Sequence, residues 1–255
     1  MVKRLVVYGL LGIALALSTF TSFSINSERE DTEMIVIVNP RNPLNPVVRN
    51  PYQEEYERML YPVVRITSDS GTGTGVFIDV TKVTTVTGGY IITAAHVVED
   101  ENMVSVEIYS DTGCRIQDAI VVITDTVKDL ALIRVETTDS TDYADKIYKA
   151  KLAPENYTPY IFTPIYTVGC SLGLNPRPSQ GIISVVESDH WEVTSPILPG
   201  NSGGPIFDGR TYQVIGIAVW VKVYNGQLVT TMAGVVPINQ IYEFLNHKEH
   251  KEHKE

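Results

Sequence analysis

The chain has 255 residues, of which 44% are hydrophobic and 20% charged, and a formal net charge of -10. That composition excludes a disordered chain and is long enough for one large or two small domains. The acidic balance excludes a nucleic-acid backbone as the main partner, because binding phosphates needs clustered Lys and Arg.

Lys3 and Arg4 precede an apolar run from Leu5 to Leu17, and small and polar residues follow from Ser18 to Ser24. Residues 1–24 therefore have the form of a signal peptide, or of an N-terminal membrane anchor if the apolar run is extended so that residues 5–23 tether the chain. Both alternatives leave the basic end in the cytoplasm. They predict an exported protein, secreted or periplasmic, or a membrane-anchored one with its folded part outside the cytoplasm. Residues 25–55 read as a tether: SEREDTE is polar and acidic, and NPRNPLNPVVRNP carries four prolines that favour extended backbone. Within it, Met34 to Val38 offers a short strand.

From Tyr56 to about Leu245, short runs rich in Val, Ile, Thr and Tyr recur between Gly, Asp, Asn and Pro clusters. They are YPVVRITS, GTGVFIDV, GYIITAA, MVSVEIYS, AIVVITD and LALIRVE, then IYTVG, GIISVVES, WEVTS, YQVIGIAVWVKVY and VTTMAGVVP. Such spacing predicts an all-β barrel or sandwich, and the lack of strand–helix alternation weighs against a parallel sheet. A polar stretch from Thr137 to about Pro159 divides the strands into two groups, barrel 1 over about 56–140 and barrel 2 over about 158–237. INQIYEFL places Ile238, Ile241, Tyr242 and Leu245 at helical spacing and predicts a short C-terminal helix. Residues 247–255 repeat HKE three times and read as a charged, solvated tail outside a folded domain of residues 56–246.

Cys114 and Cys170 are the only cysteines, too few for a disulfide scaffold. The sequence leaves open whether they pair.

A serine hydroxyl is a poor nucleophile unless a histidine takes its proton, an acid orients that histidine, and backbone donors meet the developing oxyanion. Gly200-Asn201-Ser202-Gly203-Gly204-Pro205 can expose a serine on a glycine-rich turn, and the same residues also suit an ordinary turn. Gly200, Asn201 and Ser202 are the candidate oxyanion donors, since Gly200 can adopt a backbone conformation closed to most residues. His96 ends the run Tyr90-Ile-Ile-Thr-Ala-Ala, where two alanines leave the imidazole space. Outside the tail only His190 competes with it. If the order is His, Asp, Ser, the acid lies among Asp100, Asp111, Asp118, Asp125, Asp129, Asp139, Asp142 and Asp145. Asp129 stands out because it opens the apolar strand LALIRV, where a partly buried carboxylate needs a partner; Asp125 is its main competitor.

Gly200-x-Ser202-x-Gly204 also fits the nucleophile elbow of α/β-hydrolases. That fold needs its histidine after the serine, where only tail histidines occur here.

TAAHVV, DLALIRV and GNSGGP, in that order, resemble the trypsin-like serine proteases and most of all their HtrA-type branch. The likeness covers about residues 65 to 240 and includes Ser70 to Ile78 and Ala233 to Pro237. It implies two six-stranded antiparallel β-barrels, and a serine endopeptidase that cuts protein or peptide substrates through an acyl-enzyme. His96, Asp129 and Ser202 would be its catalytic residues. By the same resemblance Thr194, Leu198, Ile217, Ala218 and Val219 line the pocket for the residue before the scissile bond. They carry no charge, which implies a small or medium apolar preference. No cofactor or metal is expected. Nothing after residue 246 has the form of a PDZ module, so regulation through one is not expected. Asn201 stands where digestive members have an aspartate, so activation by a newly cut N-terminus is not expected either. The alternative is a non-catalytic binding or scaffold protein that keeps the protease fold; the filled triad positions argue against it.

Overall fold

The computed structural model describes residues 36–37, 47–48, 50–79, 88–111, 113–136 and 147–252. The leader of residues 1–24 and most of the tether lie outside them. Among the described residues no helix is long and apolar enough to cross a membrane. Within residues 1–51, Val36–Ile37 (β1) pairs antiparallel with Val47–Val48 (β2).

Residues 52–255 contain two closed antiparallel barrels of six strands each. Barrel 1 comprises Val63–Ser68 (β3), Gly71–Ile78 (β4), Gly88–Thr93 (β5), Met103–Ser110 (β6), Gly113–Asp125 (β7) and Leu130–Glu136 (β8). Its strands close in the order β3-β4-β5-β8-β7-β6. Barrel 2 comprises Pro164–Gly169 (β9), Arg177–Val186 (β10), Trp191–Val193 (β11), Pro205–Asp208 (β12), Val214–Tyr224 (β13) and Gln227–Pro237 (β14). They close in the order β10-β11-β14-β13-β12-β9. Closure removes the free sheet edges, and some strand main-chain groups bond to the connecting turns and linker instead, as Phe77 O does with Ala150 N–H.

The apolar runs become the two cores. Val64, Ile66, Phe77, Ile91, Ile92, Leu132 and Ile133 fill barrel 1, and Ile165, Ile183, Val193, Phe207, Ile217 and Val235 fill barrel 2, all buried. Strand β12 is the one barrel strand that the run pattern did not mark. It has four residues, opens with Pro205 and directly follows the glycine-rich turn, so its short apolar stretch reads as part of that turn.

The polar linker touches both barrels. Ala150 bridges Ile78 of β4 and Leu152 bridges Val214 of β13, so the linker is paired to one strand of each barrel. The C-terminal helix (α2) spans Ile238–Glu252, longer than the amphipathic run predicts. Ile238, Ile241 and Phe244 bury its inner side. Its backbone runs on into the HKE repeat because Lys and Glu favour helix and no Gly or Pro stops it.

Candidate active site

Strand register brings His96 and Asp129 together although 33 residues separate them. Thr93, the last residue of β5, pairs with Ala131 near the start of β8. The chain then leaves β5 through Ala94 into a single helical turn, Ala95–Val98 (α1), which carries His96. Asp129 is the residue just before β8, so it lies beside that turn. Its main chain has φ 55, a conformation that non-glycine residues adopt only under constraint. Asp125 supplies part of the constraint: its Oδ1 accepts the N–H groups of Val127 at 3.0 Å and Lys128 at 2.9 Å. The competing aspartate therefore shapes the turn, and Asp129 faces the histidine.

Asp129 meets His96 twice. Its Oδ1 accepts the His96 main-chain N–H at 3.0 Å, and its Oδ2 lies 2.7 Å from Nδ1. A carboxylate only accepts, so Nδ1 bears the hydrogen and the neutral ring keeps Nε2 as its acceptor. The hydrogen bond to Asp129 raises the His96 pKa above 6.5, while partial burial opposes it. The pair remains in contact with water, with 46% of the His96 side chain and 30% of the Asp129 side chain exposed.

The glycine-rich turn lies across the barrel junction. Gly203 has φ 81, and a side-chain carbon placed on it would fall 2.1 Å from Thr93 Oγ1, 2.3 Å from Thr74 O and 2.8 Å from Ala94 N. Only glycine fits there. The contact sets Ser202 against the strand end that carries His96. Thr74 of β4 reinforces it, because its N–H donates to Ser202 O at 2.9 Å.

The N–H groups of this turn divide into two sets. Those of Asn201, Gly203 and Gly204 donate to Leu198 O, Ala218 O and Asn201 O respectively. Those of Gly200 and Ser202 have no acceptor among the described residues. Leu172 N–H captures Pro199 O at 2.7 Å. In a trans peptide the N–H points opposite to the carbonyl, so the Gly200 N–H faces away from the Leu172 turn. Gly200 has φ 95 and packs into that turn; a side-chain carbon would meet Cys170 O at 2.4 Å. Asn201 differs from its sequence expectation as an oxyanion donor. Its N–H is engaged by Leu198 O, and its buried side-chain Oδ1 accepts from Ser171 Oγ at 2.7 Å.

Of the residues expected in the specificity pocket, Ile217 and Ala218 are fully buried on β13, and Val219 is nearly so. Ala218 exchanges main-chain bonds with Gly203 and Gly204, which seats β13 beside the glycine-rich turn. Thr194 turns its Oγ1 back to accept from Ile182 N–H at 3.0 Å. Leu198 is half-buried and holds Asn201 through its carbonyl.

Thr74, Leu172 and Ser171 carry contacts that sequence reasoning missed. Each reaches the turn from far along the chain, and only the flanking glycines of Gly71 to Gly75 and Gly169 to Gly173 hinted at close approach. The two cysteines are separate thiols, Cys114 exposed and Cys170 buried. Burial pushes the Cys170 pKa up to about 12, so it stays protonated. Among the described residues the one grouping of metal-binding side chains is Glu187, Asp189 and His190, within 4.8 Å of one another. Their groups satisfy each other: His190 Nδ1 lies 3.0 Å from Asp189 Oδ1.

Residues 73–217, more than half of the chain, match the family described as the trypsin-like peptidase domain, and the chain belongs to that family. It is 28% identical over 219 residues to HhoA of Synechocystis sp., named as a serine protease, covering 83% of this chain and 51% of that protein. To the magnetosome formation protease MamE of Paramagnetospirillum magneticum it is 28% identical over 197 residues, 72% of this chain and 24% of the relative. The chain thus spans about half the length of these relatives or less. The fold matches the serine endoprotease from Yersinia pestis at a TM-score of 0.62, with 23% identity, 78% of this chain and 67% of that chain covered. The HtrA-type protease AlgW with tripeptide matches at the same TM-score of 0.62, with 20% identity, 77% of this chain and 63% of that chain covered.

Proposed function

We propose that the chain is a serine endopeptidase that hydrolyses protein substrates through Ser202, His96 and Asp129. The observation that carries this is the two-point Asp129–His96 contact beside a glycine-rich turn with two unengaged N–H groups. His96 Nε2 takes the Ser202 hydroxyl proton as Oγ attacks the substrate carbonyl carbon. Charge passes to the carbonyl oxygen, where Gly200 N–H and Ser202 N–H meet it. As the tetrahedral intermediate collapses, the imidazolium gives its proton to the departing amine and the acyl-enzyme remains. Water, deprotonated by the same imidazole, then releases the acid and restores Ser202.

Asp129 holds the imidazole in the tautomer with Nε2 free and stabilises the cation that forms in each half-reaction. Uncharged Thr194, Leu198, Ile217, Ala218 and Val219 favour small or medium apolar residues before the scissile bond. Residues 56–246 form the peptidase domain, and residues 1–24 direct or anchor it outside the cytoplasm. The names of the relatives agree with a protease.

Proteome-derived peptides incubated with wild type and with Ser202→Ala test the reading. Wild type is expected to generate new termini after small apolar residues, and Ser202→Ala none. Termini produced equally by both would contradict it, as would cleavage after Arg or Lys for the assigned pocket.

A further inference from the structure

Four bonds converge on Thr74, a fully buried residue of β4 in barrel 1, and two of them pass through its side-chain hydroxyl. The hydroxyl donates to Gly200 O at 2.6 Å and accepts the Cys170 main-chain N–H at 2.9 Å. Its main-chain N–H donates to Ser202 O at 2.9 Å, and its carbonyl accepts Thr93 Oγ1 at 2.6 Å. A threonine hydroxyl has one hydrogen to donate, and that hydrogen is committed to the carbonyl between Gly200 and Asn201.

The consequence is geometric. The oxyanion amides of Gly200 and Ser202 flank the Gly200–Asn201 peptide. The Leu172 N–H holds the peptide before it, and the Thr74 main chain holds Ser202. The hydroxyl of Thr74 holds the middle one and also fixes Cys170, whose turn supplies Leu172. Arg65 of β3 adds a second tie from barrel 1, donating to Gly173 O at 2.7 Å while paired with Glu107. Oxyanion stabilisation depends on donors fixed before reaction begins, so a group that fixes them acts on the rate without touching substrate.

We propose that Thr74 is a positioning residue for the oxyanion site, its hydroxyl locking the Gly200–Asn201 peptide and the Cys170 turn from barrel 1. This rests on the peptidase reading of the same site. It adds that barrel 1 supplies part of the oxyanion geometry as well as the acid–base pair.

The test compares wild type with Thr74→Val, Thr74→Ala and Thr74→Ser, each checked for folding by its thermal transition. Kinetics use a peptide substrate and a matched peptide boronate, which binds as a tetrahedral adduct. Thr74→Val and Thr74→Ala are expected to lower kcat about ten- to hundredfold, with KM changed less than about threefold. The boronate Ki rises by the same factor as kcat falls, a correlation that a merely structural role would not produce. Thr74→Ser keeps the hydroxyl and stays within about threefold of wild type. Wild-type kcat in a folded Thr74→Val or Thr74→Ala protein overturns the proposal, as does a loss confined to KM. If neither variant folds, Thr74→Ser decides, since a folded but inactive serine variant contradicts it and an active one agrees with it. Failure of folded wild type to react with a fluorophosphonate at Ser202 would instead sink the peptidase reading, and this inference with it.

Discussion

On the barrel 1 side of the junction, His96 and Asp129 keep 46% and 30% of their side-chain surface open to water. On the barrel 2 side, the turn around Ser202 is tightly enclosed, with Asn201, Gly203 and Gly204 buried. Leu172, Thr74 and Ala218 fasten it from separate directions. The difference suits the roles proposed for the two sides. An acid–base pair has to gain and lose protons, so it needs an environment that tolerates both charge states of the imidazole. An oxyanion site has to present fixed dipoles, and main-chain groups hold their direction best when every neighbouring carbonyl is already bonded. Local strain at Asp129 aims the first; long-range hydrogen bonds lock the second.

Removing the orienting charge has the largest expected effect, on the exposed side. Asp129→Asn is expected to lower kcat by roughly 10³ to 10⁴ while the thermal midpoint changes little, because an amide can reverse the favoured tautomer. Steady-state kinetics beside a melting curve check this, and a loss below tenfold would contradict it. Crowding the buried side acts on stability as well. Gly203→Ala, with its added carbon 2.1 Å from Thr93 Oγ1 at φ 81, is expected to cost about 2–4 kcal/mol in denaturant unfolding. A neutral result would mean that the turn is looser than these contacts imply.

The pH dependence sharpens the contrast further. His96 has its pKa raised above 6.5 by the Asp129 hydrogen bond. In the proposed mechanism neutral imidazole is the active form, so kcat/KM is expected to fall as pH drops through a midpoint above 6.5, about tenfold per unit below it. The stability from this pair runs the other way. It is complete below 6.5, where the imidazole is charged whether the chain is folded or not, and is lost as pH rises through the raised folded value. Activity and unfolding measured across the same pH series separate the two limbs. The smallest effect belongs to Asp125→Ala, which removes two turn bonds and is expected to cost about 1 kcal/mol. With Asp129 less firmly aimed, kcat falls by less than about tenfold.

The readable parts of this molecule are those whose signal is local. The runs YIIT and LALIRV carry enough β-branched and apolar residues to mark β5 and β8, and the glycines around Ser202 mark a turn that needs close approach. Asp129 stood out from Asp125 because an apolar strand follows it, and the bonds from Asp125 to its own turn explain the division of labour. Strand β12 is hidden in the sequence because its four residues, opening with Pro205 directly after Gly203-Gly204, show no alternation. The fastening of the turn was hidden for another reason. Thr74 and Gly200 are 126 residues apart, and nothing in a threonine on a glycine-rich strand says which distant carbonyl its hydroxyl will meet. Asn201 likewise differs from its neighbours as a donor only through the fold, in which Leu198 O occupies its N–H.

In the proposed mechanism the Ser202 hydroxyl is activated by an imidazole that Asp129 holds. A fluorophosphonate probe, with the modified peptide identified by mass spectrometry, measures this directly in wild type and in a folded His96→Ala variant. A single adduct on Ser202 is expected in wild type, with labelling slowed by at least roughly 10³ in the variant. Equal labelling of both proteins, or no adduct on Ser202 in correctly folded wild type, would contradict it.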